Sequence, residues 1–130
     1  MKQILCLSNE PWSNRLPGRT QQLVSRLRDC QVLYFFPAQS PRDMSYRKKG
    51  QKVRPNVTAY TLPPIRFPIP ERYRWLFHMA WDKVAGYIRE EAARKRFAEP
   101  LLWTTHPRHI HLVDRLEYGS LVYDCDRVWD

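Results

Sequence analysis

Five short apolar runs, separated by helical or turn-rich segments, limit most strongly how this chain can fold. The first run, QILCLS at residues 3–8, lacks the alternation of polar and apolar residues. Such a run is typical of a strand that is covered on both faces, as in a parallel sheet. The other four runs are residues 32–36, 57–62, 101–104 and 120–124. We therefore expect five strands, most of them parallel.

Three segments between these runs have helical patterns. Thr20 is suited to cap the first helix, in which Leu23, Val24 and Leu27 share an apolar face. The longest pattern covers residues 71–97 and ends before Glu99-Pro100. Its inward stripe is predicted to contain Phe77, Ala80, Trp81, Val84, Ile88 and Ala92, and Trp75 is also expected to pack inward.

The third helical pattern covers residues 107–117, with Gly119 as its C-cap. Residues 37–55 are polar and basic without a usable period, and we predict that residues 42–54 are the most mobile part of the chain. Because strand and helix otherwise alternate, we predict an α/β fold, a Rossmann-like three-layer sandwich with a mostly parallel sheet of about five strands.

The length of 130 residues, with 43% hydrophobic content, suits one domain with one core. No run approaches the roughly 18 apolar residues of a membrane span, and residues 4–7 are too short for a signal-peptide core. We therefore expect a cytoplasmic protein. Cys6, Cys30 and Cys125 have no CxxC spacing, so we interpret them as small buried residues in a reducing compartment.

The net charge of +9 favours an anionic partner such as nucleic acid, anionic lipid or a phosphorylated substrate. The positive charge is concentrated in residues 42–54 and continues, interleaved with aromatic residues, into residues 66–75. Such a belt can bind single-stranded nucleic acid or hold a protein peripherally on an anionic membrane. The alternative is a solvated loop followed by the start of a core-packing helix.

The loop after the first strand, residues 9–19, contains two prolines and only one glycine. It does not have the GxGxxG spacing of a dinucleotide-binding turn. A loop that ends at a helix N-terminus is nevertheless an anion site, and Arg19 beside Gly18 is able to donate two hydrogen bonds to a phosphate. An ordinary surface loop with an exposed arginine explains the same residues equally well.

Ionisable residues follow the last two predicted strands. His106 comes after residues 101–104, Asp124 ends residues 120–124, and Asp126 follows two positions later. In open α/β sheets, ligands bind outside the carboxyl ends of the strands, so we expect Gly18, His106 and Asp124 at one edge. Carboxylates at this position can act as a general base, orient a sugar hydroxyl or bind a metal. A solvated turn or a helix cap is the simpler alternative.

Three histidines, His106, His109 and His111, lie within six residues. Their spacings do not match HExxH, in which two histidines are four positions apart with a glutamate between them, so we reject a zinc-protease site. His106 remains a candidate for binding or acid–base chemistry. We expect His109 and His111 on the helix surface.

Several of these motifs together resemble a known family. Residues 4–12 (ILCLSNEPW), 19–23 (RTQQL) and 32–37 (VLYFFP) look like the amino-terminal domain of bacterial GT-B glycosyltransferases of the family 4 type. Residues 103–107 (WTTHP) and 122–126 (VYDCD) are similar to later strands of that domain. The resemblance spans the whole chain.

The resemblance implies retaining transfer of a sugar from a nucleotide-diphosphate donor to a cell-envelope glycan or lipid-linked acceptor, without a metal or cofactor. Residues Gly18 and Arg19 match the loop that approaches donor phosphate and acceptor. Asp124 matches a position that is a histidine in many members, near the reacting sugar. We expect that residues 1–130 are one half of a GT-B enzyme and are inactive without the second, donor-binding domain.

Two other functions fit the composition. One is a small basic module that binds nucleic acid, although no RRM, KH, helix-turn-helix or zinc-finger signature is present. The other is a scaffold or partner subunit that meets a separate donor-binding chain. The sequence by itself does not choose among donors, acceptors or oligomeric states.

Overall fold

The computed structural model describes residues 2–40, 42–64 and 74–124. In these residues the strands are β1 (Lys2–Leu7), β2 (Cys30–Phe36), β3 (Gln51–Arg54), β4 (Val57–Thr61), β5 (Leu101–Thr104) and β6 (Ser120–Tyr123). The α-helices are α1 (Arg19–Ser25), α2 (Arg74–Arg94) and α3 (Ile110–Val113). Two 3₁₀ turns, Ser45–Lys48 and Pro107–His109, complete the regular structure of the described residues.

The strands form one sheet in the order β3-β4-β2-β1-β5-β6. Strand β1 lies near the middle and pairs in parallel with β2 on one side and with β5 on the other. The pairs β2–β4 and β5–β6 are also parallel, and β3 pairs antiparallel with β4. The prediction of an α/β fold with a mostly parallel sheet is therefore confirmed.

Each of the five predicted runs forms a strand, and β3 is a sixth strand that the sequence analysis missed. Strand β3 lies within the segment that we predicted to be irregular and mobile; its mobility stays a prediction. Its sequence, QKVR, contains a single apolar residue, Val53, and it forms an edge of the sheet. Polar, positively charged edge strands are common because they discourage pairing with other chains, and they lack the apolar signal of a buried strand.

Alternate side chains of β1 enter two separate cores on opposite faces of the sheet. Ile4 and Cys6 pack with residues of α1, whereas Leu5 and Leu7 pack with residues of α2 and α3. Helices therefore cover both faces of the sheet. This double coverage explains why residues 3–8 read as a continuous apolar run rather than an alternating one.

Two predicted helix caps are wrong. Helix α1 has Gly18 as its N-cap, and Thr20 is buried inside its first turn. The third helical pattern is shorter than expected, because α3 ends at Val113. Gly119 instead directly precedes β6, where its N–H donates to the Pro100 carbonyl at 2.9 Å. A Cβ there would lie 2.7 Å from the Glu99 carbonyl oxygen, so close backbone approach explains this glycine.

The predicted inward stripe of α2 is largely correct. Trp81, Val84 and Ile88 are buried, and the other three predicted residues are half-buried. Trp75 was predicted to pack inward and is instead 61% exposed. It precedes Phe77 by two positions, which is about 200° of rotation on an α-helix, so it points away from the buried stripe.

Helix α2 ends at Arg94, before the Glu99-Pro100 stop that the sequence suggested. Arg96 has a positive φ of 59°, and the Phe97 N–H donates to the Ala92 carbonyl at 2.9 Å. These features are those of a Schellman C-terminus, which usually has glycine at the left-handed position. The Gln3 side chain fixes this chain reversal to β1, since its amide N–H donates to the Arg96 carbonyl at 3.2 Å.

Of the three cysteines, Cys6 is buried and Cys30 is half-buried, and both are free thiols. Burial raises the pKa of the Cys6 thiol far above its usual value. Cys125 lies outside the described residues. None of the helices in the described ranges combines the length and the apolar character that crossing a bilayer requires.

Substituting Arg96→Gly is expected to stabilise the protein by about 0.5–1 kcal/mol, because glycine adopts a positive φ without steric strain. The free energy of unfolding in urea measures the change. Lys95→Gly is the matched control, and we expect it to destabilise the protein because residue 95 does not have a positive φ. Equal destabilisation by both substitutions would contradict this account of the end of α2.

Candidate functional site

The parallel register brings the carboxyl ends of the central strands to a common edge. Leu7 of β1 is in register with Thr104 of β5, which is in register with Tyr123 of β6. The next residues along each strand are Ser8, Thr105 and Asp124. The edge is where ligands bind in open α/β sheets. His106 and Asp124 both lie there, as expected.

Buried hydroxyl groups hold this edge together. The Thr105 Oγ1 donates to the Leu7 carbonyl at 3.1 Å, which joins the end of β5 to the end of β1. The Tyr34 hydroxyl lies 2.7 Å from Ser8 Oγ and 2.9 Å from the Glu10 carbonyl oxygen. Burial of the phenol raises the pKa of Tyr34 well above its usual value. The loop after β1 is thus fixed to β2 at its first residues.

Gln21 of α1 fixes the middle of the same loop. Its side-chain carbonyl accepts from the Ser13 N–H, and its amide donates to the Ser13 carbonyl, both at 2.7 Å. Gln21 is 2% exposed, although the sequence analysis assigned it no role. A glutamine in the first turn of an amphipathic helix gives no signal of burial by itself, because its partner lies in an irregular loop.

Arg19 and Asp124 meet across the edge. Arg19 Nη1 lies 2.6 Å from Asp124 Oδ2, and Arg19 Nη2 lies 3.1 Å from Asp124 Oδ1. The guanidinium and the carboxylate therefore pair through two hydrogen bonds, in a geometry that fixes both side chains. Asp124 is the more protected partner, with 22% of its side chain exposed against 48% for Arg19. Two of the predicted site residues are thus in direct contact.

Gly18 has less open space around it than its predicted role requires. A Cβ at this position would fall 1.4 Å from Oε2 of Glu10, so that carboxylate occupies the space beside the glycine. An anion approaching Gly18 has to displace the Glu10 side chain. Asp126 lies outside the described residues.

His106 is the N-cap of the 3₁₀ turn Pro107–His109, and its Nδ1 accepts from the Arg108 N–H at 3.1 Å. His109 was predicted on the helix surface and is instead buried, with 8% of its surface exposed. Its Nδ1 accepts from the N–H groups of Thr105 and His106, each at 3.3 Å. Burial lowers the pKa of His109 to about 3, with a smaller contribution from His106. His109 is therefore a neutral structural acceptor at neutral pH.

His111 was also predicted on the helix surface and is half-buried against α2. Its ring centroid lies 5.0 Å from those of both Phe77 and Trp81. Partial burial lowers the pKa of His111, and the nearby Arg115 adds to the effect. The described residues contain no group of three His, Cys, Asp or Glu side chains placed to hold a metal ion.

A cleft of about 290 Å³ opens at the carboxyl edge, on the face covered by α2 and α3. We call it the carboxyl-edge cleft. Its floor is apolar, and polar groups of Asn9, Gln39, Ser40 and Arg108 stand around it. The apolar floor consists of Leu62, Trp81, Val84 and Leu112. An apolar floor with a few polar groups suits a small organic ligand.

The basic and aromatic belt is only partly described. Residues 66–73 lie outside the described ranges. In the first turns of α2, Trp75 and Met79 are 61% and 59% exposed. These apolar side chains are in keeping with a peripheral membrane contact, which stays a prediction.

We expect the Arg19–Asp124 pair to contribute a coupling free energy of about 0.5–1 kcal/mol at low salt, since both side chains are partly exposed. A double-mutant cycle with Arg19→Gln and Asp124→Asn in urea unfolding measures it. In 1 M salt the coupling should fall, because counterions screen exposed charges. Arg19→Gln combined with Asp114→Asn is the control, and its coupling should be near zero. Zero coupling for the contacting pair at low salt would contradict the contact.

The low pKa of His109 predicts a loss of stability in mild acid. Below the usual pKa near 6.5, the unfolded chain binds a proton that the folded protein excludes until pH about 3. His109→Asn keeps an acceptor atom that cannot ionise. Between pH 7 and pH 5, it should therefore reduce the fall in unfolding free energy by about 2 kcal/mol. Identical pH profiles for the wild type and His109→Asn would show that folding does not lower the pKa of His109.

The geometry of the edge comprises a paired arginine and aspartate, a neutral buried histidine and a cleft with an apolar floor. Together these groups can bind a polar ligand, orient a hydroxyl group and offset a negative charge. Comparison of the chain with protein-family models, with curated proteins and with solved structures found no match.

Proposed function

We propose that this chain is the acceptor-binding, amino-terminal domain of a GT-B glycosyltransferase of the family 4 type. In this proposal its sheet is the Rossmann-like three-layer sandwich of one half of that fold. A second domain binds the nucleotide-diphosphate sugar, and the acceptor is a cell-envelope glycan or a lipid-linked glycan. The protein acts in the cytoplasm, peripherally on the inner face of the membrane.

The observation that supports this proposal best is the Arg19–Asp124 pair at the carboxyl edge. The two residues are 105 positions apart in the chain, yet their side chains make two hydrogen bonds beside the ends of the central strands. The motifs that contain them, in the loop after β1 and at the end of β6, are two of those that carry the family resemblance. The carboxyl-edge cleft opens at the same edge of the sheet and provides space for an acceptor sugar, and neither Arg19 nor Asp124 lines it.

The proposed chemistry assigns different roles to the two residues. A carboxylate oxygen has more than one lone pair, so Asp124 can accept a hydrogen bond from the acceptor hydroxyl while it stays paired with Arg19. Its negative charge also stabilises positive charge that develops on the sugar ring. Arg19 offsets the charge of the leaving phosphate or of a phosphorylated acceptor. His106 lines the same edge as a binding residue.

Asp124→Asn keeps the shape of the side chain and removes its charge. In the complete enzyme, joined to its donor domain, we expect turnover to fall by about a hundredfold or more. Transfer from a panel of radiolabelled nucleotide-diphosphate sugars to a membrane extract measures the activity. Asp114→Asn, at the exposed end of α3, is the matched control and should retain full turnover.

Unchanged turnover in the Asp124→Asn enzyme would remove this residue from the mechanism. Sugar transfer by residues 1–130 alone would refute the need for a second domain. If the complete enzyme uses no nucleotide-diphosphate sugar in the panel, the glycosyltransferase proposal itself fails.

A further inference from the structure

A second cavity, of about 530 Å³, opens on the opposite face of the sheet from the carboxyl-edge cleft. It lies on the α1 face, beside β3 and the carboxyl ends of β2 and β4. We call it the Trp12–Lys48 cavity, and the residues that define it here are Trp12, Phe36, Ser45, Lys48, Gln51 and Ala59. The proposed sugar-transfer site makes no use of it.

Among the described residues no helix follows β2 on this face, which leaves space for the cavity. Between β2 and β4 the described chain forms the 3₁₀ turn Ser45–Lys48 and strand β3 instead. Helix α1 packs on the same face through Val24, and Leu27 packs there just after the helix ends. In β4, Ala59 points to this face with a side chain of one carbon, which leaves space above the sheet.

Aromatic rings form two sides of the cavity. Trp12 packs edge-on against Tyr34, with ring centroids 5.2 Å apart, and Tyr34 lies next to Phe36 at 6.2 Å. The Trp12 Nε1–H is enclosed and has no hydrogen-bond partner among the described residues. This N–H group has almost no solvent-accessible surface, so a ligand in the cavity meets other atoms of Trp12. The rings offer flat apolar surface to a flat ligand.

The charge at the entrance is positive, and none of the described residues that line the cavity is acidic. Lys49 forms a salt bridge away from the cavity, in which its Nζ lies 3.6 Å from the buried carboxylate of Glu91. Lys48 forms no salt bridge with a described residue, so an anion can pair with its ammonium group, which otherwise interacts only over a longer distance with the Asp43 carboxylate. The nearby Asp43 already accepts hydrogen bonds with both carboxylate oxygens, from Ser45 and Gln39.

We propose that the Trp12–Lys48 cavity binds a small phosphorylated compound that carries a flat heterocycle, the chemistry of a mononucleotide. The heterocycle packs against Trp12 and Phe36. The phosphate pairs with Lys48 at the entrance. The volume lies within the range of about 300–1,000 Å³ that is usual for small-molecule sites.

Titration of the ¹⁵N-labelled chain with AMP and UMP tests the proposal by NMR. We expect saturable shifts of the Trp12 indole N–H and of the backbone amides of Gly50 and Gln51. Inorganic phosphate should bind about tenfold more weakly, because it lacks the stacking contribution. Equal affinity for inorganic phosphate, or shifts confined to the carboxyl-edge cleft, would overturn the proposal.

Lys48→Gln should weaken AMP binding by about tenfold through the loss of one charge-assisted hydrogen bond. Lys52→Gln is the matched control. It removes the same charge from β3, and residue 52 faces away from the cavity because side chains alternate along a strand. We expect its affinity to match that of the wild type. If both substitutions weaken AMP binding equally, and circular dichroism shows that both proteins are folded, the binding reflects general charge attraction. That result would overturn the proposed site.

A single-stranded oligonucleotide presents the same base and phosphate chemistry, so a ten-residue oligothymidylate is titrated in parallel. If the oligonucleotide binds no more tightly per nucleotide than UMP does, the result supports a small-molecule site. An affinity more than about a hundredfold tighter than UMP, with strong salt dependence and shifts spread over Arg47, Lys52 and Arg54, would identify a nucleic-acid surface instead and overturn the proposal.

Discussion

The parallel pairing of β1 with β2 and with β5 is the interaction on which the rest of this structure depends. Because β1 lies between two parallel neighbours, its backbone hydrogen bonds fix the register of three strands at once. Its side chains alternate between two cores, and so it also determines which helices cover which face. The shared direction of the strands brings the loops that follow them to one edge.

Polar contacts, rather than apolar ones, determine the shape of that edge. Tyr34 and Thr105 fix the ends of β1 and β5, and Gln21 holds the loop that leads into α1. These groups are buried, so their loss would leave unpaired donors and acceptors in the protein interior. The Arg19–Asp124 pair is more exposed, so it should add less stability than these buried contacts.

A buried carboxylate connects α2 to the segment between β2 and β3. Glu91 is 1% exposed and lies 3.2 Å from Arg94 and 3.6 Å from Lys49. Lys49 has a positive φ of 62°, which is unfavourable for a residue with a side chain. Its contacts with Glu91 and with the ring of Tyr87 help to hold this conformation, which places the 3₁₀ turn against α2. The same turn forms the entrance of the Trp12–Lys48 cavity.

The sequence by itself determined the strand segments and the covered faces. Continuous apolar runs such as residues 3–8, and the spacing of Trp81, Val84 and Ile88, are local signals of burial, and each was interpreted correctly. Strand β3 was not predicted, because a polar edge strand does not contain a continuous apolar run. Trp75 was predicted to pack inward and is exposed, because it lies about 200° around the helix from Phe77.

Only the tertiary structure decided which polar residues are buried and which meet. The sequence pattern places His109 on the helix surface, but the turn after β5 buries it. Gln21 is buried because it hydrogen-bonds to Ser13, which lies in a loop without a recognisable sequence pattern. The sequence placed Arg19 and Asp124 at the same edge, but their contact joins residues 105 positions apart. Local periodicity indicates which face of each segment packs against the core. Contacts between distant residues depend instead on the order and register of the strands, which arise from the packing of all segments together.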